Sequence, residues 1–262
     1  GIDPAANARD LAAAVAGAAA GGAAILFTPE MSGLLDRDRQ RAAVHYRHEA
    51  DDPVLAAVRA AAAEHSIWVA LGSLAMLAED EERLVNRSFL IDGGGAVRAR
   101  YDKMHLFDVD LPTGESWRES ASFRPGDAAV VAETPLGKLG LSICYDLRFP
   151  ALYQALSGAG ATMLSIPAAF TVPTGEAHWH VLMRARAIEN ACFVIAAAQC
   201  GSHEDGRATY GHSLVVDPWG KVLLDMGGEG PGLGFADLDL AASQAVRSRL
   251  PVIAHRRVIP AL

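Results

Sequence analysis

The chain has 262 residues and a mass of 27.6 kDa, which is enough to bury a core without disulfides or metals. Hydrophobic residues make up 51% and charged residues 21%, as in globular proteins and unlike disordered ones. The net charge of −8 and the lack of a basic run exclude a general affinity for nucleic acid. No apolar stretch reaches the roughly 18 residues of a membrane helix, and no signal-peptide pattern is present. We therefore expect neither nucleic acid nor a membrane as a partner.

The cysteine count bears on the compartment of the protein. Three cysteines, Cys144, Cys192 and Cys200, are too few and odd in number for a framework of disulfides. This count favours the reducing cytoplasm. The chain also has no internal repeat and no visible domain boundary, so we predict one domain over residues 1–262.

The N-terminal half predicts helices that alternate with buried strands. Pro4 suits the first turn of a helix, and Gly21 and Gly22 suit its end. Apolar runs of strand length and a Gly-rich turn follow. In chain order we predict a helix over 4–20, a strand within 23–30, a helix over 53–65, a strand over 67–74 and a hairpin around 93–95.

The C-terminal half continues the alternation after a polar, turn-rich segment at 108–127. In chain order we predict a hairpin around 135–137, a helix over 150–159, a strand within 161–168, a helix over 176–190, a strand over 192–199, a hairpin centred on 217–220 and a last strand within 232–240. The alternation indicates an α/β fold in which helices cover sheets whose strands are apolar on both faces.

Cys144 is the best placed of the three cysteines for nucleophilic catalysis. It follows the apolar run GLSI, at the turn between a predicted strand and a predicted helix. A tight bend exposes a nucleophile, and backbone N–H groups near a helix start can bind an oxyanion. Cys192 and Cys200 lie within or beside an apolar strand, where an inert buried thiol is common. On position alone, Cys144 is either a nucleophile or a third packed thiol.

Glu30 and Lys103 share the setting of Cys144, because each lies at the end of an apolar strand. If these strand ends meet, a carboxylate, an ammonium and a thiol share one partly desolvated pocket. The carboxylate can then accept the thiol proton, and the ammonium can stabilise both a thiolate and an oxyanion. The alternative is that both groups are ordinary strand-end charges that face water.

Six runs of sequence, in order along the chain, resemble the nitrilase, or carbon–nitrogen hydrolase, superfamily. They are FTPEMSG (27–33), YDKMHLFDVDLP (101–112), ESASFRPGD (119–127), LSICYDLRFP (141–150), AHWHVLMRARAIEN (177–190) and YGHSLVVDPWG (210–220). The resemblance implies an α/β fold of the αββα four-layer sandwich type and a Glu–Lys–Cys triad on Glu30, Lys103 and Cys144. It also implies a second pocket glutamate, sixteen residues after the lysine, which is Glu119.

The reaction that this resemblance implies is hydrolysis of a small amide without a cofactor. Cys144, deprotonated with help from Glu30, attacks the carbonyl carbon, and Lys103 and the backbone N–H after the cysteine hold the oxyanion. Ammonia leaves from a thioester intermediate, and water activated by Glu30 releases the acid. Glu119 is expected to position the substrate and Lys103 rather than to transfer protons.

Four further residues are candidates for contact with the substrate. They are Tyr145, Arg148, His178 and Trp179. Arg148 can bind a substrate carboxylate as a charged fork, or it can pair with a buried acid such as Asp146 or Glu176. His178 and Trp179 are expected at the entry to the helix over 176–190, where they would line the pocket.

A metal site and two other classes of protein are the alternatives to this interpretation. The candidate ligand pairs are His45 with His48, His178 with His180, and Cys200 with His203. None has the spacing of a known metal motif, so we predict no catalytic metal. A papain-like protease would need a cysteine motif that the chain lacks. A catalytically silent interaction module is disfavoured because all three triad positions carry reactive residues.

Residues 196–220 and 247–257 are more similar to the deaminated-glutathione amidase branch of the superfamily than to the omega-amidase branch. That resemblance implies deaminated glutathione as the substrate, with 2-oxoglutaramate or another small amide as the alternative. It also implies a homodimer, with apolar stretches in the C-terminal helix and around 145–160 at the contact. Family members begin with a short apolar strand before the segment that matches 4–22, and we expect this strand to be missing here.

Overall fold

Two β-sheets lie face to face between two pairs of helices in the computed structural model, which describes residues 1–78, 83–110, 114 and 116–260. Its helices are α1 (Pro4–Ala20), α2 (Arg39–Ala43), α3 (Pro53–His65), α4 (Pro150–Gly158), α5 (Val172–Asn190) and α6 (Ala241–Arg249). None of these described helices is long and apolar enough to cross a membrane.

Most strands are short, and those in the middle of the two larger sheets are buried on both faces. They are β1 (Ile25–Phe27), β2 (Trp68–Leu77), β3 (Leu84–Ile91), β4 (Val97–Asp102), β5 (Asp108–Asp110), β6 (Ser116–Arg118), β7 (Val130–Thr134), β8 (Gly137–Leu141), β9 (Met163–Ser165), β10 (Phe193–Ala196), β11 (Cys200–Ser202), β12 (Ala208–Tyr210), β13 (Leu214–Val216) and β14 (Val222–Asp225).

The first sheet, as far as the described residues show it, has the order β1-β2-β3-β4. β1 runs parallel to β2, and the other pairs are antiparallel. Helices α1 and α3 cover its outer face through a core that includes Val15, Val58, Leu71 and Phe89. Because β1 and β4 lie at opposite edges, their C-terminal ends can hold side chains on two sides of one opening.

The second sheet has the order β14-β13-β10-β9-β8-β7 within the described chain, with β8, β9 and β10 parallel. Helices α4 and α5 contribute Tyr153 and Met183 to the core that covers this sheet. The same core includes Leu90 of the first sheet and Leu141 of the second, so the two sheets pack on each other. This arrangement is the predicted αββα sandwich, and burial of both sheet faces explains the continuous apolar runs.

Most predicted elements agree with the observed ones. The helices over 4–20 and 53–65 have the predicted bounds, because Asp3 and Asp52 cap them and a proline occupies each first turn. The predicted hairpins around 93–95, 135–137 and 217–220 are antiparallel pairs. In the polar segment 108–127, β5 pairs with β6, while residues 111–113 and 115 lie outside the described residues.

Two predicted elements were wrong. The helix predicted over 176–190 begins earlier, at Val172, because Pro173 lies in the first turn, where a missing N–H breaks no bond. The strand predicted within 232–240 is not present in this described segment. Its apolar side chains pack on α1 instead, where Phe235 lies against Gly21 and leaves no room there for a Cβ atom.

Candidate active site

Four loops and turns bring the predicted catalytic side chains into one cavity. Glu30 follows β1, Lys103 follows β4, Cys144 follows β8, and Glu119 begins a short 3-10 turn, Glu119–Ala121. All four line a cavity of about 660 Å³. The interpretation of Glu30 and Lys103 as ordinary charges that face water was wrong, because they are only 4% and 2% exposed.

The Lys103 ammonium lies between two carboxylates. Its Nζ donates to Glu30 Oε1 at 2.9 Å, and it lies 3.1 and 2.9 Å from the two oxygens of Glu119. Moving isolated charges from water into a protein interior costs several kcal/mol per ion, so buried charges need close partners. Here each buried charge has an opposite charge at hydrogen-bond distance.

Further donors hold the two carboxylates. The Ala169 N–H donates to Glu30 Oε2 at 2.9 Å, and the Phe107 N–H donates to Glu119 Oε2 at 2.7 Å. Asn86 bridges the pair, since its Nδ2 donates to Glu30 at 3.0 Å and to Glu119 at 3.2 Å. The sequence interpretation missed Asn86. Its signal was an amide in the strand run LVNRSFLI, where it is completely buried.

The loop that carries Glu30 is held closely against the first sheet. The Gly72 N–H of β2 donates to Thr28 Oγ1 at 2.9 Å, and a Cβ atom at Gly72 would lie 2.1 Å from the Thr28 carbonyl oxygen. On the other side, Gln199 Nε2 donates to the Glu30 carbonyl oxygen at 3.0 Å. Glycine is therefore required at position 72 for the close approach that positions Glu30.

Cys144 occupies a strained turn. Its φ angle is +47°, in a region that residues other than glycine rarely adopt. Its own N–H donates to the Pro167 carbonyl oxygen at 2.8 Å, and the 3-10 turn Cys144–Arg148 begins here. The first N–H groups of a helical turn have no partner within the turn. The next N–H, that of Tyr145, is therefore the backbone donor nearest in sequence for a group bound to the thiol.

Asp146 is the second residue that the sequence interpretation missed as part of the site. It is completely buried and accepts hydrogen bonds from Tyr101 Oη at 2.6 Å, the His105 N–H at 3.0 Å and the Ile143 N–H at 2.8 Å. It also lies 2.7 Å from His105 Nδ1. Asp146 thus joins the turn that begins at Cys144 to Tyr101 and His105, which lie two residues before and two residues after Lys103.

The protonation states follow from burial and neighbouring charges. Burial opposes ionisation of Glu30, but the charge of Lys103 outweighs it and holds the pKa of Glu30 below its ordinary value. Burial and the negative charge of Glu30 raise the pKa of the Cys144 thiol well above its ordinary value, against the opposing effect of Lys103. Burial lowers the pKa of Lys103, but the charges of Glu119 and Glu30 dominate and raise it. The resting site therefore combines a neutral thiol, an ionised Glu30 and a protonated Lys103.

The four predicted substrate-contact residues do not all reach the cavity. Tyr145 lies on its wall, where it packs edge-on against Phe107 at 5.1 Å between ring centroids. Arg148, His178 and Trp179 are not among the described lining residues. The expectation that His178 and Trp179 line the pocket was wrong because α5 begins before the predicted start. The first turn of the helix, with Pro173, contributes to the wall instead.

Arg148 and Trp179 have other contacts. Arg148 Nη1 lies 3.3 Å from His178 Nδ1, and its guanidinium lies 5.3 Å from the centroid of the Phe170 ring. The ion pair with Asp146 or Glu176 that the sequence suggested is not formed among the described contacts. Trp179 is completely buried and donates from Nε1 to the His212 carbonyl oxygen at 2.8 Å.

The outer part of the cavity is aromatic and basic. Trp117, Phe123 and Phe170 contribute rings to its wall. Four arginines also line it, namely Arg37, Arg39, Arg118 and Arg207. The cavity therefore has carboxylates and a thiol at its buried end and guanidinium groups elsewhere. One group of described residues has metal-ligand geometry, His180 with His212 and Asp225, and none of the three lines this cavity.

The fold and this buried carboxylate–ammonium–thiol group are those of an enzyme that cleaves carbon–nitrogen bonds. Residues 2–248 match the family model described as carbon-nitrogen hydrolase. The chain belongs to the carbon–nitrogen hydrolase family, which confirms the resemblance to the nitrilase superfamily.

Individual relatives agree with this assignment. The chain is similar to the deaminated glutathione amidase of Yersinia enterocolitica, with 42% identity over 250 residues, 92% of this chain and 84% of the relative. It is similar in structure to Saccharomyces cerevisiae Nit3, a member of branch 10 of the nitrilase superfamily, with a TM-score of 0.87, 27% identity, and coverage of 98% of this chain and 93% of that one. A mutant amidase of Nesterenkonia sp. AN1, which carries acrylamide added at its active-site cysteine, gives a TM-score of 0.78 at 30% identity, with coverage of 95% and 93%.

We predict that Cys144 does not form a thiolate at neutral pH. Ultraviolet difference absorbance between the wild-type protein and Cys144→Ala should show no thiolate step for Cys144 up to its ordinary pKa of 9.0. Glu30→Gln removes a negative charge beside the thiol, so the step should move to lower pH in that variant. A wild-type step near neutral pH, or an upward move in Glu30→Gln, would contradict the assigned protonation states.

Proposed function

We propose that the enzyme hydrolyses an amide through a thioester on Cys144. The observation that carries this proposal is the meeting of Glu30, Lys103 and Cys144 in one buried cavity, with pKa shifts that favour an ionised carboxylate, an ammonium and a neutral thiol. In that state Glu30 is ready to accept a proton and Cys144 has one to give. Direct transfer between them forms the nucleophile only when a substrate carbonyl is in place.

The first half of the reaction makes the acyl-enzyme. Glu30 takes the proton from Cys144 Sγ as the sulfur attacks the amide carbonyl carbon. The oxyanion that develops is stabilised by Lys103 Nζ and the Tyr145 N–H. Glu30 then returns the proton to the amide nitrogen, the carbon–nitrogen bond breaks, and the amine leaves.

The second half repeats the same proton transfers with water. Glu30 takes a proton from the water that attacks the thioester carbon, the same donors stabilise the second oxyanion, and the carbon–sulfur bond breaks. The proton returns to Cys144, and the carboxylic acid is released. Glu119 positions Lys103 and does not transfer the proton. Its two oxygens accept hydrogen bonds from Lys103 Nζ and the Phe107 N–H, and Glu30 carries out the proton transfers.

We propose deaminated glutathione as the substrate, and the relative in Yersinia enterocolitica supports this by its name. In this compound a keto acid is joined through its distal carboxyl group to the amine of cysteinylglycine. Hydrolysis gives 2-oxoglutarate and cysteinylglycine. Ammonia is the leaving group only for the alternative, 2-oxoglutaramate, so the ammonia release expected from the sequence applies to that alternative alone.

The four arginines in the cavity wall fit a substrate with a carboxylate at each end. Three of them are engaged: Arg118 with Asp110, Arg207 with Asp205, and Arg39 with a backbone carbonyl oxygen. The guanidinium of Arg37 forms no ion pair within the part of the chain that the structure describes. We infer that Arg37 binds the glycine carboxylate of the longer substrate, which 2-oxoglutaramate lacks.

A comparison of the two substrates tests this assignment. Both release 2-oxoglutarate, so one coupled assay measures both reactions. We expect kcat/KM for deaminated glutathione to exceed that for 2-oxoglutaramate by at least about tenfold, or about 1.4 kcal/mol in transition-state binding. Arg37→Gln should remove most of this difference and leave 2-oxoglutaramate hydrolysis within about twofold of wild type, because only the tail contact is lost.

Arg9→Gln is the matched control, because Arg9 is an exposed arginine on α1 and does not line the cavity. It should leave both substrates unaffected. Equal or reversed substrate preference in the wild-type enzyme would reject deaminated glutathione. Preference that persists in Arg37→Gln would reject only the role of Arg37.

We further propose that the enzyme is a homodimer that acts in the cytoplasm, where a catalytic thiol stays reduced. The stretch 145–160, one of the two contact regions expected from the sequence, does not form this surface. Four of its apolar side chains are buried in the chain's own core, namely Leu147, Leu152, Tyr153 and Leu156. Large exposed apolar side chains occur instead on α5 and beside it. They are Val181, Ile188 and Trp219, which are 68%, 42% and 66% exposed.

Light scattering tests the dimer. The wild-type protein should have twice the chain mass of 27.6 kDa. Ile188→Asp should lower the measured mass towards that of a single chain, because it places a charge in the buried contact. Val44→Asp is the control, because Val44 is also an exposed β-branched residue, at 65% exposure, and follows α2 rather than lying on α5. A wild-type protein of single-chain mass would contradict the proposal.

A further inference from the structure

A second cluster of reactive side chains lies outside the catalytic cavity, where three elements meet. His180 belongs to α5, His212 lies between β12 and β13, and Asp225 ends β14. His180 Nε2 is 3.0 Å from Asp225 Oδ2, and His212 Nδ1 is 2.9 Å from Asp225 Oδ1. The ligand atoms of all three residues lie within 4.8 Å of one another.

These distances suit a single metal ion. Zn²⁺ binds histidine nitrogen and carboxylate oxygen at roughly 2.0–2.1 Å, and tetrahedral ligands of such an ion are roughly 3.3 Å apart. Both histidines lie near one oxygen of Asp225, since Oδ2 is 3.0 Å from His180 Nε2 and 3.2 Å from His212 Nδ1. These separations are close to the tetrahedral value, so small side-chain rotations would admit the ion. Two neutral imidazoles and one carboxylate are also a common protein ligand set for this ion, with a fourth position open to water.

The three side chains are already held in place. The Gly227 N–H donates to Asp225 Oδ1 at 2.9 Å, and the Tyr210 ring stacks on His212 with 4.4 Å between centroids. His212 has a φ angle of +56°, a strained value, and its N–H donates to the Gly227 carbonyl oxygen at 2.6 Å. Oriented ligands bind a metal more tightly because less freedom is lost on binding.

The cluster differs from the metal pairs considered from the sequence. Of those pairs, only His180 takes part, and its partners come from distant positions that the fold brings together. None of the three residues lines the catalytic cavity in the described chain, so an ion here would not touch the substrate. A link to the cavity exists through Trp179, which donates to the His212 carbonyl oxygen and packs against Phe170 on the cavity wall.

We propose that His180, His212 and Asp225 form a structural binding site for Zn²⁺ or a similar first-row divalent ion. The ion joins α5 to the β13–β14 hairpin and so stabilises the side of the cavity that Phe170 and Trp179 support. The competing explanation is that the two histidines only form hydrogen bonds with Asp225 and bind no ion.

Calorimetric titration with Zn²⁺ distinguishes the two explanations. It is carried out in the Cys144→Ala background, because a catalytic thiol also binds this metal. We expect one Zn²⁺ per chain, with at least about tenfold weaker binding after His180→Asn and, independently, after Asp225→Asn. His65→Asn is the control, since His65 is a histidine on another helix, α3, is exposed and should leave the binding constant unchanged.

A thermal unfolding scan gives a second readout. Zn²⁺ should raise the midpoint of the Cys144→Ala protein in a concentration-dependent way, and should not raise it when His180→Asn or Asp225→Asn is added. Circular dichroism without metal verifies that these variants fold. Lack of Zn²⁺ binding by the Cys144→Ala protein, or equal binding by the folded His180→Asn and Asp225→Asn variants, would overturn the proposal.

Discussion

The site depends on one buried ammonium held between two carboxylates. Lys103 lies within hydrogen-bond distance of Glu30 and Glu119, and all three are largely removed from water. Such a group is stable only when every charge and lone pair has a partner. Asn86 and the N–H groups of Ala169 and Phe107 supply those partners and tie the charges to three different parts of the fold. Burial and the negative charge of Glu30 keep the Cys144 thiol neutral until substrate arrives, against the opposing effect of Lys103.

The sandwich provides the rigid frame that this electrostatic arrangement requires. Strand ends from both sheets converge on the cavity, and the shared core between the sheets fixes their separation. Buried Asp146 connects the turn of Cys144 with the strand end of Lys103 through Tyr101 and His105. A displacement of either segment would leave buried donors without an acceptor, which costs about 1–3 kcal/mol for each group. The strained φ angle of Cys144 is maintained by these contacts.

The sequence was informative wherever local rules decide the structure. Capping residues and prolines explain the bounds of α1 and α3. The position of Glu30, Lys103 and Cys144 at strand ends allowed a shared pocket, which the family resemblance then implied. Roles that depend on the pairing of distant elements were not accessible in this way. Asn86 bridges two carboxylates only because of the position of β3 in the sheet. The segment 232–240 has an apolar pattern typical of a strand, but packing on α1 satisfies it without a ladder of backbone hydrogen bonds.

The most direct test of the central claim is mass spectrometry of the enzyme quenched during turnover of deaminated glutathione. The wild-type protein should carry one 2-oxoglutaryl group on the peptide that contains Cys144. Cys144→Ala should carry none and release no 2-oxoglutarate, while its circular dichroism and thermal unfolding show a folded protein. Turnover by the folded Cys144→Ala variant, or an acyl group on another residue, would contradict the account.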